Sequence, residues 1–356
     1  MRYVVFLKRK VAILGATGTV GQRFIQLLQD HPWFKVEVLA ASERSAGKKY
    51  KDTCEYILAF DCPNEINEMP VVKSDVKSVE KTGNIDFVFS TLPGGIAGPV
   101  EEEFATQYPV VSKASAHRLD KDIPLLIPEV NPDHLAIIPI QKSNRNWDGF
   151  ISTDPNCSTI QLAITLKPLM AFGLKKVIIS TMQALSGAGY PGVASLEIID
   201  NIIPFISNEE KKTESEALKI LGTFDGARVQ QANITISTSY NRVNVKDGHL
   251  QSIFVELDDK PSIEEVKKSF ENFEGKPQRL GLPSSPKKPL VFRNEVNRPQ
   301  PRYDRNEGKG MSIVVGRIRK DPMLTVKYMC LGHNIIRGAA GAGILSAELM
   351  AVEGYI

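Results

Sequence analysis

Lys10-Val11-Ala12-Ile13-Leu14-Gly15-Ala16-Thr17-Gly18-Thr19-Val20-Gly21 is the stretch from which the fold is read. Its first five residues form a short, largely apolar run of strand length. The run breaks into glycines at 15, 18 and 21, and a helical pattern follows through Phe24, Ile25, Leu27 and Leu28 to His31-Pro32. Strand, glycine turn and helix in this order open a dinucleotide-binding unit. The glycines permit a tight turn, close approach of a pyrophosphate to backbone N–H groups, and close packing of helix on strand. Gly15, Thr17, Gly18, Thr19 and Val20 are therefore the candidate cofactor contacts. The spacing GxxGxxG is a variant of the GxGxxG fingerprint, and an ordinary β–α turn is the competing reading.

Working outward, residues 35–41 give a second strand that ends in Ala41 and runs into Ser42-Glu43-Arg44-Ser45. An NAD site usually carries a carboxylate at the end of this strand, bonded to the ribose 2′-hydroxyl. Ser42, Arg44 and Ser45 suit a 2′-phosphate instead, which predicts NADP. Glu43 would serve NAD if it turned inward. Residues 85–92 and 110–112 read as further parallel strands, ending in Pro93-Gly94-Gly95 and in Lys113-Ala114-Ser115-Ala116-His117-Arg118. Ligands gather beyond the carboxyl ends of such strands, so Arg118 is a candidate anion binder.

The second half opens with Asp154-Pro155-Asn156-Cys157-Ser158-Thr159. Ile160, Leu162, Ala163, Leu166, Leu169 and Met170 repeat at helical spacing as far as Gly173, which puts Cys157 at the start of a helix. Free N–H groups and the macrodipole favour a thiolate there, and a thiolate is the nucleophilic form. A buried cysteine that only packs explains the segment equally well when it is taken alone. Residues 177–183 form a strand leading into the glycine-rich loop Ser186-Gly187-Ala188-Gly189. Further on, Asp247-Gly248 between β-like runs predicts a two-residue hairpin, with Lys246 opposite His249 and Arg242 opposite Ile253. Arg242 and His249 would then share a face, about 13 Å apart along the strands. A histidine near a cysteine can activate it and move a proton, and an arginine can anchor a carboxylate. Together with Cys157 and the glycine turn, they point to an oxidoreductase that works through a thioester.

Composition bounds the alternatives. The 356 residues suffice for two domains, and the four cysteines (54, 62, 157 and 330) form no CxxC pair. That spacing suggests neither a metal site nor a disulfide framework and fits a reducing cytoplasm. No apolar stretch reaches the roughly 18 residues of a membrane span. Val4-Val5-Phe6-Leu7 is too short for a signal-peptide core, and reads as an extra strand or an extension. The net charge of +3 comes from interspersed acids and bases, which gives nucleic-acid binding little support. Ala194, Leu196, Ile198, Ile199, Ile202, Ile203 and Phe205 form either an oligomer surface or a buried helix face.

At this point the residues resemble a known family. The glycine turn, Asn156-Cys157-Ser158-Thr159, Gln183-Ala184-Leu185-Ser186-Gly187-Ala188-Gly189, Arg242 seven before His249, and His333-Asn334-Ile335-Ile336-Arg337-Gly338 are similar, in order, to aspartate-semialdehyde dehydrogenase. The archaeal and fungal-like branch resembles this chain most, through residues 41–48, Pro299-Gln300-Pro301-Arg302 and Gly310-Met311. The resemblance implies reduction of L-4-aspartyl phosphate by NADPH to aspartate semialdehyde and phosphate, on the route to lysine, threonine and methionine. Cys157 would be the nucleophile, Asn156 would shape the pocket for its adduct, His249 would be the acid/base and Gln183 would orient the substrate. Arg242 would hold the substrate carboxylate, Glu209 or its neighbour Glu210 the amino group, and Lys212 and Arg118 the phosphate. Asn334, Ser186 and Gly187 would line the nicotinamide side.

The expected architecture is α/β. A doubly wound (Rossmann) NADP-binding domain spans residues 1–155 and is completed by a C-terminal helix, 334–356. An α+β catalytic and oligomerisation domain with a mixed sheet spans 156–333, and the family implies a homodimer or homotetramer. No metal, nucleic-acid or membrane partner is expected. Malonyl-CoA or succinyl-CoA reductase is the rival on the same scaffold, and a non-catalytic NADP-binding protein is the alternative from another class.

Overall fold

A computed structural model describes residues 8–356, so Val4–Leu7 and the two readings given for them lie outside the described residues. The chain divides into two units. One comprises the residues up to Pro124 together with Leu135–Asp154 and Gly343–Ile356, and the other Leu125–His134 and Pro155–Ala342. The short excursion Leu125–His134 and the stretch before Gly343 thus go with the second unit, and neither boundary has a marker in the sequence.

In the first unit, strand β1 (Arg9–Leu14) leads through the glycine turn into helix α1 (Thr19–Leu28). Strands β2 (Phe34–Ala41), β3 (Val71–Lys73) and β4 (Phe87–Ser90) follow, then helix α2 (Gly94–Ala105), β5 (Pro109–Ser112) and β6 (Phe150–Thr153). The six strands are parallel in the order β3-β2-β1-β4-β5-β6, the doubly wound order, whose direction reverses between β1 and β4. Val11–Leu14 and Phe87–Ser90 are buried along their whole length, as strands covered on both faces must be.

The second unit begins with helix α3 (Cys157–Leu166) and strand β7 (Leu174–Gln183). Helix α4 (Glu209–Ile220) is followed by a two-stranded ribbon, β8 (Thr223–Phe224) and β9 (Val229–Gln230). Then come β10 (Thr235–Arg242), β11 (His249–Leu257), helix α5 (Ile263–Glu271), β12 (Leu290–Arg293), β13 (Ile313–Lys320) and β14 (Val326–Gly332). Helix α6 (Gly341–Val352) carries the chain out of this unit, and its residues from Gly343 onward belong to the first. The sheet is mixed, in the order β10-β7-β11-β14-β13-β12. Its core face packs Val177, Ile179, Ile253 and Val255 with Leu162, Leu166, Ile220 and Phe270 of the helices.

Every residue of α3 after Cys157 is buried, including Ser158, Thr159, Gln161 and Thr165. A helix buried all round must satisfy such groups with protein partners, and those bonds fix it to its surroundings. Thr165 Oγ1 pairs with the Tyr328 hydroxyl on β14 at 2.9 Å, and Thr159 Oγ1 with Thr213 Oγ1 on α4 at 3.1 Å.

The hairpin expected at Asp247-Gly248 does not form. Strand β7 lies between the two runs, parallel to β10 and antiparallel to β11, so Lys246 does not pair with His249 nor Arg242 with Ile253. Gly248 does take the positive φ that the turn signal called for, at +100°. The residues before it cross the end of β7 instead of folding back: Val245 and Lys246 carbonyls accept from the Leu185 and Ser186 N–H groups at 2.7 and 3.1 Å. Register restores the juxtaposition that the hairpin was to supply. Arg242 lies beside Gln183 on one side of β7, and Leu250 beside Met182 on the other, which sets His249 level with Gln183.

Candidate active site

Cys157 is the first residue of α3, and Asn156 caps the helix, its Oδ1 accepting the Ser158 N–H at 2.9 Å. Two carboxylates of α4 finish the cap. Asn156 Nδ2 donates to Glu209 Oε2 at 2.6 Å, and the Asn156 N–H donates to Glu216 Oε2 at 2.7 Å. Glu209 also meets Lys212 Nζ at 3.2 Å, whereas Glu210 Oε1 accepts from the Tyr240 N–H at 3.1 Å. Of the adjacent pair, Glu209 and not Glu210 therefore bonds to the cap residue that precedes the cysteine. Glu216, seven residues on, was missed by the sequence reading, although two helical turns put it on the same face as Glu209.

His249, the first residue of β11, sets Nε2 3.3 Å from Cys157 Sγ, while its Nδ1 lies 3.0 Å from the Ala184 N–H. Burial, with Arg242 and His333 acting in the same direction, pushes the ring down to about 3, so it is neutral at physiological pH. Arg242 ends β10 and donates from Nη1 to the Ala184 carbonyl at 2.8 Å. Burial lowers its guanidinium, opposed by Cys157 and Glu209. Gly187 closes over both groups: a Cβ there would stand 2.9 Å from His249 Cε1 and 3.0 Å from Arg242 Nη1. On another side Gly338 lies so near that a Cβ would sit 2.6 Å from that of Cys157.

Three buried glutamines join this helix start to the sheet. Gln183 Nε2 donates to Ser158 Oγ at 2.8 Å, Gln251 Nε2 to the Ser158 carbonyl at 3.0 Å, and Gln161 Nε2 to the His249 carbonyl at 3.2 Å. Gln161 and Gln251 carry no motif signal, since only the tertiary partner gives an amide in a core its meaning. Asn334 ties two loops together, accepting the Gly248 N–H at Oδ1 and donating from Nδ2 to Ser186 Oγ, each at 2.8 Å.

The remaining candidates lie in the first unit. Gly15 has φ +76°, and a Cβ on Gly21 would stand 2.4 Å from the Gly15 carbonyl oxygen, so the turn and the start of α1 are in direct contact. No side chain caps α1, and the Thr19 hydroxyl is buried without a hydrogen-bond partner among the described residues. Open N–H groups and an unanswered hydroxyl at a helix N-terminus fit a pyrophosphate. Thr17 contributes its carbonyl to Gln22 Nε2 at 3.1 Å, and Val20 follows Thr19 in the first turn of the helix. Beyond β2, Ser45 is buried while Ser42 and Arg44 are exposed. Glu43 turns away to Lys73 at 2.7 Å, which leaves hydroxyls and a guanidinium for a 2′-phosphate. Arg118 donates from Nη2 to the Lys113 carbonyl at 2.8 Å in the loop after β5.

Comparison with known proteins agrees with the two-domain fold. Residues 10–138 match the model of the semialdehyde dehydrogenase NAD binding domain, and residues 166–337 that of the semialdehyde dehydrogenase dimerisation domain. An aspartate-semialdehyde dehydrogenase of Archaeoglobus fulgidus is 54% identical over 98% of this chain and 100% of its own. The chain belongs to the aspartate-semialdehyde dehydrogenase family. A solved aspartate-semialdehyde dehydrogenase with NADP from Candida albicans superposes at a TM-score of 0.90, with 39% identity, covering 98% of this chain and 100% of that one. A malonyl CoA reductase (NADP) of Metallosphaera sedula is 41% identical over 98% of both chains.

Proposed function

We propose that this protein is an NADPH-dependent oxidoreductase that reduces L-4-aspartyl phosphate to L-aspartate 4-semialdehyde and phosphate, in the cytoplasmic route to lysine, threonine and methionine. The observation that carries the reading is Cys157 Sγ at a capped helix start, 3.3 Å from His249 Nε2, with the Arg242 guanidinium tied to the same residue as His249. Cys157 attacks the acyl carbon, phosphate departs, and a thioester remains on sulfur. A thioester accepts hydride where a carboxylate does not, so the covalent step divides one hard reaction into two easier ones.

Each residue has a part in that sequence. Arg242 grips the substrate carboxylate with a planar fork, and Glu209 meets its amino group. Lys212 and Arg118 neutralise the phosphate as it leaves. Asn156 and Gln183 hold the helix start that carries the sulfur, Gln183 through Ser158. Gly15, Thr17, Gly18, Thr19 and Val20 would hold the pyrophosphate of NADP, Ser42, Arg44 and Ser45 its 2′-phosphate, and Ser186, Gly187 and Asn334 its nicotinamide end. When bound, NADPH supplies the hydride.

A homodimer or homotetramer goes with this reading. The expected helix face at 194–205 is a single turn, Ser195–Ile198, in which Ile198 is 2% exposed. Leu196 is 92% exposed, and Ile199, Ile202 and Phe205 also face outward, an apolar strip suited to a second copy.

The test is phosphate-dependent reduction of NADP with aspartate semialdehyde, run beside NADPH oxidation with malonyl-CoA. Turnover of the first with little of the second is expected. Turnover of malonyl-CoA alone would replace the proposed substrate with the rival one.

A further inference from the structure

Cys157 rests against a single glycine. A Cβ on Gly338 would stand 2.6 Å from that of Cys157 and 3.1 Å from its Cα, so a shift of Gly338 is felt at the nucleophile. Gly338 lies in a π turn, Ile336–Ala340. Its N–H donates to the His333 carbonyl five residues back at 3.0 Å, and the Ala340 N–H to that of Ile335 at 3.2 Å. Such a turn is a rare winding that favours functional sites, and tertiary contacts must keep it from closing to the ordinary α spacing.

The residue before Gly338 supplies one such contact. Arg337 donates from Nη1 to Glu129 Oε1 at 2.9 Å and from Nη2 to Glu129 Oε2 at 2.6 Å. The two side chains are 1% and 0% exposed, and Arg337 Nε has no hydrogen-bond partner among the described residues. Glu129 is in turn held by the excursion Leu125–His134. There Asn131 accepts the Ile127 N–H at 2.8 Å and donates to the Leu125 carbonyl at 2.9 Å and to His134 Nδ1 at 2.8 Å. Gly275 closes on Glu129 from another side, where a Cβ would stand 2.6 Å from its Cα.

We propose that the Glu129–Arg337 pair positions the nucleophile: it fixes the π turn whose Gly338 backs Cys157, and so holds Sγ in its place beside His249 Nε2. The proposal rests on the thioester reading given above. Stability does not account for the pair, because well-packed apolar residues of similar volume commonly serve a fold as well or better. Direction does. A carboxylate and a guanidinium joined by two parallel bonds set orientation as well as distance, which apolar packing cannot do.

Glu129→Leu/Arg337→Met separates aim from stability, since both charges leave together and apolar side chains fill the space. A denaturant midpoint at or above that of the wild type is expected, with kcat on aspartate semialdehyde lowered by about 10- to 100-fold, the effect of a small displacement of a reacting atom. KM should stay within about twofold, because Arg242 and Glu209 are untouched. Alkylation by iodoacetamide, followed by mass spectrometry on the peptide bearing Cys157, should slow by about 10-fold as the sulfur leaves its place at the helix start. A stable variant with the wild-type kcat, or with the wild-type alkylation rate, overturns the proposal.

Glu129→Asp keeps the charge and withdraws the carboxylate by one methylene, so it decides the matter if the double variant does not fold. Lowered kcat at unaltered KM supports the positioning role, and wild-type kcat overturns it. Alkylation needs no substrate, which keeps the two readings apart. Slowed alkylation in a protein whose wild type has no activity on aspartate semialdehyde would remove the substrate reading alone, and unchanged alkylation in an active enzyme would remove the positioning role alone.

Discussion

Two strand-to-helix junctions hold the residues proposed for cofactor binding and for catalysis, and they open their helices in opposite ways. At α1 the glycine turn leaves the helix start uncapped, with the Thr19 hydroxyl buried and unanswered among the described residues. At α3 the start is closed: Asn156 caps it, Glu209 and Glu216 bind the cap, and Ser158 is held by two glutamines. An open helix end retains donors for an anion that comes and goes, whereas a closed one aims a single fixed atom. The difference teaches that the same local element serves binding or catalysis according to whether its end groups are already satisfied.

The comparison breaks most visibly at the open end. Gly21→Val would force the turn apart, because even a Cβ would stand 2.4 Å from the Gly15 carbonyl oxygen. Titration of NADPH fluorescence is expected to show binding weakened by about 100-fold or more, the loss of a phosphate cradle worth several hydrogen bonds. Alkylation of Cys157 should keep its wild-type rate. A parallel loss of thiol reactivity would mean that the two junctions are not separate devices.

Arg242→Lys tests the other side. A point charge cannot reproduce the planar fork, so kcat/KM for aspartate semialdehyde should fall by about 10- to 100-fold while NADPH binding is unchanged. An unaltered kcat/KM would remove the carboxylate role. Arg44→Ala should narrow the preference for NADP over NAD by about 10-fold, the worth of one charged contact to phosphate. Equal preference before and after would return that loop to the solvent. The smallest effect is expected from Asn156→Ala, which deletes a cap and should lower stability by about 1 kcal/mol in a denaturant titration. An unchanged midpoint would show that Glu209 and Glu216 close the helix without it.

Much of this arrangement could be read from the residues, and the failures have a common cause. The turn after β1 was legible because glycine spacing and the flanking periodicity are local signals. Cys157 at a helix start was legible for the same reason, since Asn156 and the apolar repeat stand beside it. Arg242 and His249 share a face in the sequence reading, but about 13 Å apart and by way of a hairpin that does not exist, whereas in the fold both bond to Ala184. Asp247-Gly248 fixes a turn and says nothing of β7, which enters between the two strands from fifty residues upstream, a separation of that order being beyond any local rule. Ala184 was invisible because its contribution is entirely backbone, and an alanine in a strand-to-loop passage has no side-chain chemistry to notice. Gln161, Gln251 and Glu216 are ordinary polar residues until the fold buries them against α3.

The account turns on a thioester at Cys157. Its most direct test is mass spectrometry of the enzyme quenched with aspartate semialdehyde and NADP in the absence of phosphate. An aspartyl adduct on the peptide bearing Cys157, discharged when phosphate is added and absent from Cys157→Ala, is the predicted result. Turnover with no adduct on that peptide would contradict it.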